Sequence, residues 1–249
     1  MKKPRILVCN DDGINGPGLP ALIAAMRRVG RVTVSVPEQE RSADSHSLTL
    51  HKPIRVLRVS PDVYTLNGSP ADCSRFGILE LLNGKADLVV SGINRGYNLG
   101  EDVIYSGTVA AAMEATLLRT RAVAFSIDPG ARDYRPAAAY AQRLAAQVLR
   151  RGLPIGVCLN VNFPLPPRKG GYKTAVAARL GRRIYGTGIT RRADPRGHDY
   201  FWLAGREVRG FDEPGTDVGA VSRGQVSVTP LKIDRTDDAV LHDLRAWKL

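Results

Sequence analysis

The sequence has few cysteines and no long apolar run. Its three cysteines, Cys9, Cys73 and Cys158, are widely spaced and form no C-x-x-C pair, so they indicate neither a disulfide framework nor a zinc knuckle. No stretch approaches the ~20 apolar residues of a membrane span, and the first residues lack the apolar core of a secretory signal. We therefore expect a soluble, cytoplasmic protein without a membrane partner, whose thiols are small buried apolar groups.

Several catalytic signatures are also absent. The sequence holds neither the G-x-S-x-G elbow of α/β-hydrolases nor the G-x-x-x-x-G-K-[ST] loop of P-loop enzymes. Residues 16–21 match the dinucleotide pattern G-x-G-x-x-G/A, but residues 10–15 separate them from the preceding apolar run. Pro17 and Pro20 also lack the N–H groups that would face a pyrophosphate. A nicotinamide-dependent oxidoreductase is therefore disfavoured.

Acidic residues are the scarcer charged class. The 24 Asp and Glu residues face 36 Lys and Arg residues, for a formal net charge of +12. Such an excess predicts attraction to polyanions, phosphorylated metabolites or acidic membranes. It is concentrated in the second half, above all between Arg168 and Arg196, where a Gly-rich and irregular stretch suggests an exposed β-ribbon arm or a loop excursion. A solvated basic face without a ligand is the alternative interpretation.

Apolar runs typical of buried strands alternate with helical periodicity along most of the chain. The alternation predicts an α/β fold with a mostly parallel sheet covered on both faces. We expect strands at 5–9, 32–36, 48–59, 63–66, 87–91, 122–127 and 157–161, helices at 19–29, 71–82, 107–118 and 137–150, and short late strands at 200–203 and 225–229.

Two adjacent acids, Asp11 and Asp12, follow the first predicted strand, at the sheet edge where α/β proteins bind ligands. They repel each other unless a cation neutralises them. Ser42 and Asn94 follow two further strands and bring neutral oxygens to the same edge. Four oxygen ligands and no sulfur suit Mg²⁺ or Mn²⁺ better than Zn²⁺. The alternative is a solvated acidic turn.

Ser106, Gly107 and Thr108 open the Ala-rich predicted helix. Unpaired N–H groups and the helix dipole favour an anion at such an end. The two hydroxyls can add donors, and a glycine lets a phosphate approach the backbone. The alternative is an ordinary helix N-cap. Beside a metal loop, phosphate is the better hypothesis.

Long segments of the chain resemble the SurE (survival protein E) family of metal-dependent 5′(3′)-nucleotidases. The resemblance rests on ILVCNDDGINGPGL at 6–19, SGINRGYNLGEDVIYSGTVAAAMEA at 91–115 and GTDVGAVSRGQVSVTPL at 215–231, with further matches between them. It thus runs from Ile6 to Leu231. The first two segments are long, ordered and specific in combination.

The resemblance implies the details of the site. It implies one divalent metal ion per subunit, Mg²⁺ or Mn²⁺, on Asp11, Asp12, Ser42 and Asn94. It implies a phosphate pocket at Asn98, Ser106, Gly107 and Thr108. Either Asp11 or Asp12 could also be the catalytic general base toward water, and the sequence does not decide between them.

The resemblance also implies the architecture and the activity. The family fold is a Rossmann-like three-layer sandwich, so we expect a single domain over 1–249. A protruding basic β-hairpin arm (168–210) and a C-terminal tail (211–249) would serve subunit exchange in a homodimer or homotetramer. The expected activity is hydrolysis of nucleoside 5′- and 3′-monophosphates, with some action on short polyphosphate, and no specific nucleic-acid partner.

One alternative from another class stays open. A non-catalytic nucleic-acid-binding protein would use the basic C-terminal half, and its affinity would fall steeply as salt rises. Such a protein would not need the four oxygen ligands of Asp11, Asp12, Ser42 and Asn94. That set is therefore the feature that separates the two hypotheses.

Overall fold

The computed structural model describes residues 3–167, 170–203 and 208–247, and the side chains of 208 and 209 are left out of the description. Arg168 and Lys169, at the start of the predicted arm, lie outside the described residues. The described strands are β1 (Arg5–Cys9), β2 (Arg31–Pro37), β3 (Val56–Ser60), β4 (Val63–Leu66), β5 (Leu88–Arg95), β6 (Ala122–Ile127), β7 (Val157–Phe163), β8 (Ala175–Ala177), β9 (Arg183–Tyr185), β10 (Ile189–Ala193), β11 (Asp199–Leu203), β12 (Val208–Gly210) and β13 (Val226–Lys232). The described α-helices are α1 (Leu19–Arg27), α2 (Pro70–Phe76), α3 (Gly107–Leu117), α4 (Arg135–Arg151), α5 (Asp217–Ser222) and α6 (Asp238–Leu244).

A nine-stranded sheet forms the centre of the fold, in the order β3-β4-β2-β1-β5-β6-β7-β13-β8. The run from β4 to β7 is parallel throughout. The strand β3 pairs antiparallel with β4 at one edge, and β13 pairs antiparallel with β7 near the other. The predicted α/β class with a mostly parallel sheet is confirmed.

Helices cover both faces of this sheet because successive strand residues point to opposite sides. In β1, Ile6 and Val8 join the apolar cluster that includes Leu22 of α1 and helix α4. Leu7 and Cys9 join the opposite cluster, which packs against α3. The result is a three-layer sandwich in which the strands read as continuous apolar runs, as buried parallel strands do.

Two predicted elements differ from the structure. The strand expected at 48–59 begins only at Val56, because earlier N–H groups bond to side chains instead of a neighbouring strand: Thr49 donates to Asp72 Oδ1 at 3.0 Å and Arg55 to Asn67 Oδ1 at 2.8 Å. The helix expected at 71–82 is α2 followed by a π-helical turn over Gly77–Leu81. The predicted late strands are present as β11 and β13.

The basic segment contains an exposed hairpin. Strands β10 and β11 pair antiparallel, and every residue in both is exposed. Part of the predicted tail lies elsewhere: β13 sits inside the central sheet of the same chain, between β7 and β8. Helix α6 follows it and has no buried residue. No helix in the described ranges is long and apolar enough to cross a membrane.

Candidate active site

A crevice of about 620 Å³ opens at the carboxyl ends of the parallel strands. Its walls come from the turn after β1, the loop after β2, the end of β5 and the segment that leads from β5 to the N-cap of α3, with Tyr185 of β9 at one side. Topology thus brings four separate segments to one edge of the sheet, as expected for an open α/β fold.

Asp11 and Asp12 form the acidic floor of the crevice. Asp11 is 5% exposed, and burial raises the pKa of its carboxyl although hydrogen bonds from Thr108, one of them to Oδ1, oppose the rise. Burial and the neighbouring charge of Asp11 raise the pKa of Asp12 to about 6, against a lowering hydrogen bond from the Arg95 backbone N–H. Among the described residues, buried Asp12 Oδ2 finds no hydrogen-bond partner. The pair is a pre-formed site of negative potential.

Ser42 and Asn94 line the same crevice. The Ser42 hydroxyl donates to Glu40 Oε1 at 2.6 Å. The Arg41 N–H donates to the Asp11 carbonyl at 2.8 Å, which ties the loop to the turn after β1. The Asn94 amide nitrogen donates to the Gly96 carbonyl at 3.1 Å, which leaves the amide oxygen for a ligand. The structure therefore brings all four predicted metal-binding residues into one crevice.

The donor set fits a hard cation and not a soft one. Within the described part of the chain, no group of three or more His, Cys, Asp and Glu side chains is placed to hold a metal. A cation here would rest on two carboxylates and neutral oxygens, which is how Mg²⁺ is often held. The described lining adds three further acids against one basic residue: its charged members are Asp11, Asp12, Glu38, Glu40, Asp102 and Arg95. An anionic ligand entering this crevice meets an unfavourable potential unless a cation comes with it.

Asn98 lines the deep end of the crevice and is 7% exposed. Its N–H donates to Asn162 Oδ1 at 2.8 Å, and its amide nitrogen donates to Ser126 Oγ at 2.8 Å. Its carbonyl accepts from Asn160 at 2.8 Å and from Asn162 at 3.0 Å. We did not predict these three partners, because they sit within strands that read as apolar. Polar residues that interrupt the apolar runs of β6 and β7 are the sequence feature that could have indicated them.

The N-terminus of α3 meets the carboxylate of Asp11. Ser106 lines the crevice, and its hydroxyl accepts from the Val109 N–H at 3.1 Å, which is an ordinary N-cap. Thr108 is fully buried, and its hydroxyl donates to Asp11. A Cβ on Gly107 would lie 2.8 Å from Asp11 Cβ, so only glycine fits there. Gly107 and Thr108 thus support Asp11 directly, and their predicted contact with phosphate stays a prediction.

A side-chain contact of His46 holds the loop that carries Ser42 against helix α3. Its Nε2 lies 2.9 Å from Glu114 Oε2, and Arg75 donates to Glu114 Oε1 at 2.6 Å. Glu114 is 1% exposed. Burial by itself would raise the pKa of Glu114, but the bonds from His46 and Arg75 hold it below its ordinary value. His46 therefore has a structural contact with a buried carboxylate.

Three tyrosines of the crevice escaped sequence reasoning: Tyr97, Tyr105 and Tyr185. Tyr97 and Tyr105 fall inside the segment 91–115, in which we predicted only Asn, Ser, Gly and Thr residues as site residues. Tyr185 belongs to the basic segment, about eighty positions further along the chain. Its hydroxyl donates to Asp102 in the crevice lining, a long-range contact that no local pattern predicts.

A family model, curated relatives and a solved structure all show similarity of this chain to the same family. The family model described as "Survival protein SurE" matches residues 6–187. The "5′-nucleotidase SurE" of Geobacter sulfurreducens is 49% identical over 247 residues, covering 98% of this chain and 94% of that protein. The "5′-nucleotidase SurE" of Moorella thermoacetica is 48% identical over 250 residues, covering 97% and 95%. The crystal structure of a SurE protein from Aquifex aeolicus is similar at a TM-score of 0.84 and 36% identity, covering 97% of this chain and 98% of that one.

Proposed function

Since this chain belongs to the SurE family and is a 5′-nucleotidase, we propose that the crevice described above is its active site. The reaction is hydrolysis of a nucleoside 5′-monophosphate to nucleoside and phosphate. Action on 3′-monophosphates and on short polyphosphate belongs to the same proposal. A non-catalytic nucleic-acid-binding role, the alternative raised by the basic charge, gives way to this activity.

One observation carries the proposal: a carboxylate pair whose burial disfavours its own negative charge. Burial raises the pKa of both Asp11 and Asp12, and a nearby acidic charge adds to each rise, Glu40 for Asp11 and Asp11 for Asp12. Asp12 Oδ2 has no partner among the described residues. We assign one divalent ion, Mg²⁺ or Mn²⁺, to Asp11, Asp12, Ser42 and Asn94. When bound, such an ion supplies positive charge that polarises the phosphoryl group.

The residues of the chain supply positioning and proton transfer. Asn98 is held by three side chains of β6 and β7, so its amide is pre-oriented to bind a phosphoryl oxygen. Ser106 and the adjoining N–H groups at the start of α3 stabilise charge on the other phosphoryl oxygens. Asp11 Oδ1 already accepts from Thr108. We therefore assign the acceptor of the attacking water's proton to the Asp12 carboxylate.

Phosphate release from AMP tests the proposal. We expect activity with Mg²⁺ or Mn²⁺, loss of activity with EDTA and recovery on adding metal back. Asp12→Asn should lose at least ~100-fold in kcat, a magnitude typical of removing a proton-transfer group. Asp62→Asn, which changes an exposed acid outside the crevice lining, is the matched control. Activity that survives both chelation and Asp12→Asn would show the metal assignment to be wrong, while leaving the nucleotidase in place.

Assembly and location belong to the proposal too. The exposed hairpin carries Phe201, Trp202 and Leu203, each more than half exposed, and contiguous exposed apolar side chains commonly mark an interface. A homodimer or homotetramer joined through the arm and the tail would cover them. The three cysteines are buried and unpaired, as is usual in a reducing cytoplasm. Light scattering during gel filtration of the wild type and of Trp202→Ser measures the assembly.

A further inference from the structure

We propose that Tyr105 and Tyr185 form a nucleobase subsite at the mouth of the crevice, gripping the base by stacking. The inference rests on the proposed function and extends it from the phosphate to the other end of the substrate. Both side chains line the crevice. Tyr105 is 58% exposed and Tyr185 is 44% exposed, so apolar ring surface faces water in the free protein.

The position of the two rings follows from the depth of the crevice. Asp11, Asn98 and Ser106, which we assign to metal and phosphate, are only 5–7% exposed and form the floor. A nucleotide whose phosphate lies on that floor must extend its base outward. Of the three tyrosines that line the crevice, Tyr105 and Tyr185 are the exposed ones, so a base near solvent would meet their rings.

Asp102 holds both tyrosines. The Tyr105 N–H donates to the Asp102 carbonyl at 3.0 Å, and the Tyr185 hydroxyl donates to Asp102 Oδ1. Asp102 is itself 6% exposed and also accepts from Arg183. Burial and the adjacent Asp102 raise the pKa of Tyr185 to about 12, so its hydroxyl stays a donor at neutral pH. The buried Asp102 carboxylate thus holds the Tyr185 ring, and the Asp102 carbonyl holds the backbone of Tyr105, which lowers the entropy lost on binding.

The surroundings of the rings also suit stacking. The Arg183 guanidinium carbon lies 5.8 Å from the centroid of the Tyr185 ring, so one ring face is backed by a cation. The other face remains for a base. On the Tyr105 side, the Ser45 N–H donates to the Tyr105 carbonyl at 3.0 Å, which holds the backbone of that residue. Stacking tolerates any base because every base has a π face, so the subsite predicts activity on purine and pyrimidine nucleotides alike.

The test compares AMP with ribose 5-phosphate, which keeps the phosphate and sugar but lacks the base. In Tyr105→Leu and Tyr185→Leu, we expect kcat/KM for AMP to fall roughly five- to 150-fold per ring. The kcat/KM for ribose 5-phosphate should stay within about twofold. Tyr105→Phe and Tyr185→Phe keep the rings and should keep the preference for AMP. Tyr64→Leu, in β4 and outside the crevice lining, is the matched control.

Calorimetric titration with adenosine makes the test independent of catalysis. Adenosine carries the base without phosphate, and its affinity should fall in both Leu variants and persist in both Phe variants. Equal losses for AMP and ribose 5-phosphate, or unchanged adenosine affinity in the Leu variants, would overturn the subsite. A wild type that binds adenosine through these rings but releases no phosphate from AMP would instead overturn the proposed function.

Discussion

In the metal-free protein, the stability of Asp12→Asn relative to the wild type should improve as pH rises. The carboxyl of Asp12 has an ordinary pKa of 3.8, which burial and the charge of Asp11 raise to about 6 in the folded chain. Between these values the folded state binds more protons than the unfolded state, so wild-type stability falls as pH rises. The amide does not ionise, and its variant escapes this loss.

The magnitude follows from the shift. A difference of about two pKa units corresponds to ~3 kcal/mol once Asp12 is fully ionised. About a third of that loss has already occurred at pH 4.5, because the unfolded carboxyl ionises first. Coupling to Asp11 and partial access to solvent reduce the remainder further. We therefore expect the stability of Asp12→Asn relative to wild type to improve by ~1–2 kcal/mol between pH 4.5 and pH 7.5.

Urea unfolding in EDTA at the two pH values measures this change. Any fixed cost of the buried amide cancels, because only the change with pH is compared. Asp62→Asn, an exposed acid outside the crevice, should show no such trend. Saturating Mg²⁺ at pH 7.5 should stabilise the wild type but not Asp12→Asn, by ~2.7 kcal/mol at a hundred times Kd. A difference that is independent of pH, or one that favours the wild type as pH rises without metal, would refute the reasoning.

Three further substitutions test the packing around the site by urea unfolding. Glu114→Leu removes the acceptor shared by His46 and Arg75 and should cost ~1–3 kcal/mol; a loss below about 0.5 kcal/mol would contradict the assigned network. Gly18→Ala places a Cβ 2.1 Å from the Ile93 carbonyl oxygen and should cost ~3 kcal/mol or more, whereas the control Gly171→Ala meets open space and should change stability by less than ~0.5 kcal/mol. Phe125→Ala empties a fully buried position and should cost ~3–5 kcal/mol; a smaller loss would mean that the core collapses around the cavity.

Local patterns were enough to predict the central strands and the acidic turn. The apolar run of β1 stops at a polar turn, so the position of Asp11 and Asp12 at the sheet edge follows from alternation alone. Helix α3 begins at the predicted Ser-Gly-Thr sequence, again because the pattern that predicts it is local. In both cases the deciding interactions lie within a few residues of the chain, and the sequence displays them directly.

The missed residues depend on contacts between distant segments. Asn160 and Asn162 lie inside β7, where a polar residue looks like an interruption of an apolar run until Asn98 is placed beside it. Tyr185 reaches the crevice through Asp102, more than eighty positions earlier. The strand predicted at 48–59 is too long because the first part of this segment is extended but bonds to the side chains of Asn67 and Asp72. The sequence pattern of an extended segment is the same whether its N–H groups bond to side chains or to a neighbouring strand.

The charge distribution of the chain predicts that substrate affinity depends on the proposed metal ion. The chain carries a net +12, yet the described lining of the crevice holds five acids and one arginine. The basic surface attracts a phosphate at long range, a field that salt screens over ~10 Å at 0.1 M. Inside the crevice the same phosphate is repelled. In the proposed site, a divalent ion on Asp11 and Asp12 would halve the formal charge of −4 that the five acids and one arginine give the lining, so we expect metal binding to favour binding of the anion. Substrate affinity should consequently depend on metal concentration far more steeply than on salt.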